Sequence, residues 1–248
     1  MRMNILISGA STGLGRGLAL EYAARGRNLA LCARRLELLE ELRGEIGRRF
    51  PGVRVAVRAL DVNDHERVFT VFRELDAELG GLDRVVVNAG VGRGAPVGTG
   101  RFDANLVTVR TNFVAALAQC EAALELFRAR NAGHLVTICS VAAIRGLPRY
   151  QTVYAATKAG LASLTEGIRA DLWRTPIRVS AIFPGYIESE ISSGASKRMF
   201  LVDTATGCRA LRRAIDRERP RAFVPAWPWA PIAFLMRHVP LGLLVRAL

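Results

Sequence analysis

Asn4-Ile5-Leu6-Ile7-Ser8-Gly9-Ala10-Ser11-Thr12-Gly13-Leu14-Gly15 runs from an apolar pentad straight into a glycine-rich turn. The pentad has the length and composition of a buried strand. Behind the turn, Leu18, Leu20, Tyr22 and Ala23 begin an amphipathic helix that reaches about Arg25, with Gly26 as its stop. In the order strand, glycine-rich turn, helix, such a loop is built for phosphate. Glycines let the backbone turn tightly, and the helix amino end offers free N–H groups to an anion. The spacing is Gly9-x-x-x-Gly13-x-Gly15 rather than GxGxxG.

Outward from this unit the pattern repeats. Leu29–Ala33 reads as a second strand, and Arg34 and Arg35 follow it. In a mononucleotide-binding unit that position faces the adenosine ribose. An acid there takes the 2′-hydroxyl and an arginine a 2′-phosphate, so NADP(H) is expected over NAD(H). The plainer reading is two arginines capping a strand. A helix over 36–49 leads to a strand over 53–57, whose carboxyl end reaches Asp61 and Val62. Asp61 is placed either to meet an adenine amino group or to cap the next helix, 63–79. Further strands are expected at 83–87, running into Asn88-Ala89-Gly90, at 135–140, at 177–183 before Pro184-Gly185, and at 222–224. Helices are expected over 103–129, from Tyr154 to about 174, and over 204–219. Residues 186–205 lack periodicity and read as a mobile substrate loop. The whole, 1–248, is read as one α/β domain: a doubly wound Rossmann fold with a parallel sheet of about seven strands and helices on both faces.

Within this frame one group of side chains carries chemistry. Tyr154 and Lys158 are i and i+4 on a helix and share a face. A free phenol titrates near pH 10, and a neighbouring ammonium lowers that value toward a useful range. Ser140 closes an apolar strand, at the carboxyl end, where open α/β sheets bind ligands. Hydroxyl, phenol and ammonium together can protonate a carbonyl oxygen. Asn112, a polar amide amid apolar neighbours, calls for a buried partner.

Composition narrows the classes. The net charge is +13, from 35 basic and 22 acidic residues, which invites polyphosphate, anionic lipid or nucleic acid. The arginines are dispersed and not interleaved with aromatics, so no nucleic-acid partner is expected. Cys32, Cys120, Cys139 and Cys208 form no CxxC pair, and His65, His134 and His238 are isolated, so no metal site is expected. With no signal-like amino terminus and no long uncharged apolar run, a cytoplasmic protein is expected.

Taken in order, Gly9/Gly13/Gly15, Asp61-Val62, Asn88-Ala89-Gly90, Asn112, Ser140, Tyr154-x-x-x-Lys158 and Pro184-Gly185 resemble the short-chain dehydrogenases/reductases over essentially the whole chain. The resemblance implies hydride transfer between NADP(H) and a carbonyl or secondary alcohol. Gly9, Ser11, Thr12, Gly13, Leu14 and Gly15 would cradle pyrophosphate, and Arg34 and Arg35 the ribose phosphate. Asp61 and Val62 would meet adenine, and Asn88, Ala89 and Gly90 would flank the cofactor, with Asn88 steadying the central strands. Ser140 would hold the substrate oxygen, Tyr154 would act as acid/base, and Lys158 would bind the nicotinamide ribose. Asn112 would anchor a relay water. Pro184, Gly185, Ile187 and Ser189 would contact nicotinamide. A homodimer or homotetramer is implied, paired through the long helices. The chain departs from the family pattern in four ways. Ser8 replaces the usual Thr, Val87 replaces an Asn, Thr12 stands where a basic residue is common, and the Ser140-to-Tyr154 interval is one residue longer.

The apolar tail 226–248 is broken by prolines. It is expected to pack on the body or a partner subunit, to form a hydrophobic lid, or to touch a membrane peripherally. Tyr150, Tyr186 and Phe200 are candidates to line a pocket for an apolar carbonyl substrate. The alternative function is a membrane-peripheral or cofactor-sensing protein of this fold with little turnover.

Overall fold

The computed structural model describes residues 2–92, 94–188 and 200–243. Its strands are β1 (Asn4–Ser8), β2 (Asn28–Ala33), β3 (Val55–Ala59), β4 (Arg84–Val87), β5 (His134–Ile138), β6 (Arg178–Pro184) and β7 (Arg221–Val224). Its helices are α1 (Gly13–Ala23), α2 (Leu36–Arg49), α3 (His65–Leu79), α4 (Phe102–Val109), α5 (Ala115–Arg130), α6 (Thr152–Asp171), α7 (Thr204–Asp216) and α8 (Ala226–His238). The strands form one seven-stranded parallel sheet in the order β3-β2-β1-β4-β5-β6-β7. Strand order reverses between β1 and β4, which opens a crevice at their carboxyl ends.

The strands read as continuous apolar runs because both faces of the sheet are covered. Successive side chains point to opposite faces. Leu6, Val85 and Leu135 therefore join a core with α3, α5 and α6, while Ile5, Ile7, Val86 and Val136 join another with α1, α2 and α7.

Several boundaries differ from expectation. The third strand lies two residues later, and the fifth ends at Ile138, so Ser140 stands beyond it. The long helix around Asn112 is interrupted by a π-helical turn, Arg110–Val114, in which the Ala115 N–H reaches back five residues to the Arg110 carbonyl. The cap of α3 is Asp64, whose carboxylate accepts from the Arg67 N–H. Asp61, the alternative cap, instead accepts from the Asn63 backbone and side-chain N–H groups. The proline-broken tail forms α8, with a kink at Trp227.

At the end of the sheet opposite the crevice, Arg84 is buried with four partners. Its guanidinium donates to His134 Nδ1 at 2.9 Å, Tyr22 Oη at 2.9 Å, Asp216 at 2.7 Å and Glu218 at 3.2 Å. Accepting from Arg84 fixes His134 as neutral, with Nε2 2.9 Å from Ser180 Oγ. The 3.6 Å approach of His134 to Glu218 is therefore not an ion pair. Burial, reinforced by Arg84, pushes the His134 pKa down to about 3.

Candidate active site

The glycine turn is packed to backbone distance. Gly9 has φ 65°, and a Cβ there would stand 2.9 Å from Ala89 Cα. A Cβ on Gly15 would lie 2.3 Å from the Gly9 carbonyl oxygen. These contacts seat the amino end of α1 against the end of β4. Asn88 holds the junction by donating Nδ2–H to the carbonyls of Ser8 (2.8 Å) and Gly9 (3.3 Å). Ser8 supplies the reciprocal tie: its Oγ accepts from the backbone N–H groups of Asn88 and Ala89, both at 3.1 Å. A hydroxyl suffices for this, so Ser serves where Thr is usual.

Helix α1 carries no side-chain N-cap bond and no acid in its first turn. Its first-turn N–H groups and partial positive charge therefore face the crevice, where an anion would complement them. Arg35 leans over the same loop, donating to Ser11 Oγ at 3.4 Å and Thr12 Oγ1 at 3.1 Å, and Arg34 is exposed beside it. A tight glycine cradle, an open helix terminus and two guanidiniums form a donor set that fits a dinucleotide phosphate.

Beyond the cradle the crevice widens into a cavity of about 960 Å³. Gly9, Ser11 to Gly15, Arg34, Arg35, Asp61, Val62 and Asn88 to Gly90 line one end. Ser140, Tyr154, Lys158, Pro184, Gly185 and Ile187 line the other. Ser189 lies outside the described residues, as do 189–199 of the expected loop. The flanks of that segment are tied together: Ile187 pairs with Val202, and the Val202 N–H donates to the Tyr186 carbonyl at 3.1 Å.

Ser140 caps a short 3₁₀ turn, Val141–Ile144, its Oγ accepting from the Ala142 N–H at 3.1 Å. An oxygen held this way can still donate its own proton. Lys158 is buried, and its Nζ donates to the Ile138 carbonyl at 2.9 Å, 6.0 Å from the centroid of the Tyr154 ring. Burial lowers the Lys158 pKa, with Cys139 opposing. Tyr154 packs on the small cluster of Ala142, Leu147 and Ala155, as does Met236 of α8. Asn112 is secured by two bonds to one residue: Oδ1 accepts from the Val91 N–H and Nδ2 donates to the Val91 carbonyl, both at 2.8 Å. This is the buried partner that its setting demanded. Gly90 leaves room for the group, since a Cβ there would come 3.1 Å from Asn112 Oδ1 and 3.6 Å from Lys158 Nζ.

A sequence profile described as short chain dehydrogenase matches residues 3–199. The chain belongs to the short-chain dehydrogenase family. An uncharacterised oxidoreductase of Mycobacterium tuberculosis is 54% identical over 239 residues, 96% of this short-chain dehydrogenase and 94% of the relative. The NADP-dependent 3-hydroxy acid dehydrogenase of Schizosaccharomyces pombe is 33% identical over 76% of this chain and 73% of its own. Among solved structures, a short-chain dehydrogenase from Sphingobium yanoikuyae in complex with NADPH superposes with a TM-score of 0.82, at 24% identity, covering 96% and 97% of the two chains. This short-chain dehydrogenase is accordingly an NAD(P)-dependent oxidoreductase.

The apolar end of the cavity also contains residues that the sequence does not single out, some of them within the tail offered as a lid. Trp229, Ile232 and Met236 of α8 line the cavity with Leu147 and Val107, beside the anticipated Tyr150, Tyr186 and Phe200. Helix α8 of the tail therefore both packs on the body and walls the pocket. The Trp229 ring meets Tyr186 edge-on at 5.1 Å and Phe200 at 6.2 Å. The available signal was Trp229, Ile232, Ala233 and Met236 at i, i+3, i+4 and i+7, obscured by Pro228 and Pro231. The longer Ser140-to-Tyr154 interval contains a 3₁₀ turn, Arg149–Gln151, with Arg149 in the left-handed region at φ 60°.

Proposed function

We propose that this chain is an NADP(H)-dependent reductase or dehydrogenase of a hydrophobic carbonyl compound or the corresponding secondary alcohol, with Tyr154 as the acid/base. The observation that carries the reading is the convergence of Ser140, Tyr154 and Lys158 on a single cavity that begins at a glycine cradle and ends in an apolar wall. NADP(H) is favoured by Arg34 and Arg35 at the tip of β2 with no acid beside them. The NADP-dependent relative from Schizosaccharomyces pombe supports the same choice.

In the direction of reduction, Ser140 donates a hydrogen bond to the substrate oxygen and keeps its proton, while Tyr154 transfers its phenol proton to that oxygen. Lys158, anchored on the Ile138 carbonyl, favours the deprotonated phenol and would hold the ribose side of the cofactor. Asn112, fixed to Val91, keeps an amide proton and an oxygen lone pair for a water that links Lys158 outward. The bound nicotinamide supplies or accepts the hydride. The apolar wall excludes water and selects for a hydrophobic substrate.

The test is NADPH consumption across a panel of apolar ketones and aldehydes, run in parallel with direct nucleotide binding. Turnover of apolar carbonyls but not of small polar ones supports the reading. Failure to bind either NADPH or NADH would sink it.

A further inference from the structure

Helix α8 is apolar on both sides. Trp229, Ile232 and Met236 face the cavity. Pro231, Phe234, Leu235 and His238, again at i, i+3, i+4 and i+7, are exposed on the other side. Phe234 is 72% exposed and Leu235 61%, and Trp227 just before them is 79% exposed. A helix whose polar side chains, Arg237 and His238, are confined to its last turn normally lies buried, yet this one stands on the surface.

The charge around it is predominantly basic: Arg237 shares a hollow with Arg169 and Arg221 against the single acid Glu166. Three segments border the substrate end, with Asp103 just past the first of them. The first is 94–102, whose Gly94 would clash through a Cβ with the Tyr150 carbonyl. The second is 141–153, which joins the third, 226–243, where Arg145 donates to the carbonyls of Met236 and Val239. None of the three contains an Asp or Glu, although the chain has 22 acids. Arg101, Arg149 and Arg237 are exposed in them.

We propose that this face docks on a membrane surface bearing anionic headgroups, with Trp227, Phe234 and Leu235 entering the interface and the arginines meeting lipid phosphate. A second copy fits less well, because a two-fold axis would set these arginines against one another. The same helix then connects the bilayer to the cavity, so an apolar substrate is drawn from lipid. That source of substrate rests on the reading under Proposed function, whereas the docking does not.

The full chain is floated with vesicles of phosphatidylcholine containing about 30 mol % phosphatidylglycerol, and with phosphatidylcholine alone. Recovery with the anionic vesicles is expected, falling about tenfold in Phe234→Ser/Leu235→Ser and at high salt, while thermal stability and NADPH binding hold. No recovery, equal recovery on neutral vesicles, or full recovery of the double variant overturns the proposal. So does a dimer that the double variant dissociates without any vesicle binding. Loss of NADPH binding in the unaltered chain, with flotation intact, counts against the enzymatic reading alone.

Discussion

The indole of Trp229 rests on Gly185 so closely that a Cβ on the glycine would lie 2.0 Å from Nε1. Gly185 is thus required by the wall of the cavity as well as by the end of β6. Gly185→Ala should cost about 1–3 kcal/mol by overpacking, read from urea unfolding. Gly185→Ala/Trp229→Leu should lose less than the sum of its single changes, since the smaller side chain relieves the clash. Strict additivity would mean that the two residues do not bear on each other.

Tyr154→Phe removes one oxygen and leaves the packing on Ala142, Leu147 and Ala155 intact. General acid–base catalysis is worth about 10²–10⁴ in rate. Turnover should fall by about that factor, with NADPH affinity changed less than about threefold on a scale where tenfold is 1.4 kcal/mol. Retention of wild-type turnover would remove Tyr154 from the mechanism.

Arg34→Ala/Arg35→Ala removes both cations at the β2 tip. By fluorescence titration, NADPH should bind about 10–100-fold more weakly, the loss of charge-assisted bonds to a phosphate, while NADH should be nearly unaffected. An equal loss for both nucleotides would instead point to the hold of Arg35 on Ser11 and Thr12.

His134 makes stability depend on pH. The unfolded chain takes up the imidazole proton near pH 6.5, and the folded chain only at about 3. Between these values the unfolded state binds more protons, so stability falls as pH drops through this window. From pH 7 to pH 5 the loss from this one group is about 2 kcal/mol. Glu218, whose carboxyl is held below its usual range, works in the same direction in more acid solution. Denaturant unfolding at the two pH values, compared with a His134→Asn chain, should show a shallower slope in the variant; an unchanged slope would exonerate His134.

Much of the sheet is legible because a parallel strand buried on both faces is an apolar run, as in Ile5–Ile7 and Val85–Val87. The grouping of the proposed catalytic residues in one cavity is legible because helical spacing pairs Tyr154 with Lys158 and the strand end places Ser140 nearby. The π-helical turn at Asn112 is not, because one extra residue in a turn barely changes a 3.6-residue period over so short a span. Nor was the cap of α3 legible: the sequence offers Asp61 for a helix from residue 63, whereas the helix starts at His65 and Asp64 caps it. Helix α8 was hidden for a different reason. Prolines normally mark a break, yet here Pro228 falls at the kink and Pro231 is accommodated within the helix.

The placement of α8 at the margin of the sheet also bears on how such an enzyme can change over evolutionary time. Ser140, Tyr154 and Lys158, the proposed proton-transfer groups, come from just beyond a strand end and from α6, within the cooperative structure, where most substitutions disturb the core. Part of the outer wall of the pocket comes from a 13-residue helix outside the sheet. Descendants can therefore exchange one clientele for another by rewriting that helix, while the inherited chemistry beneath it stays as it was.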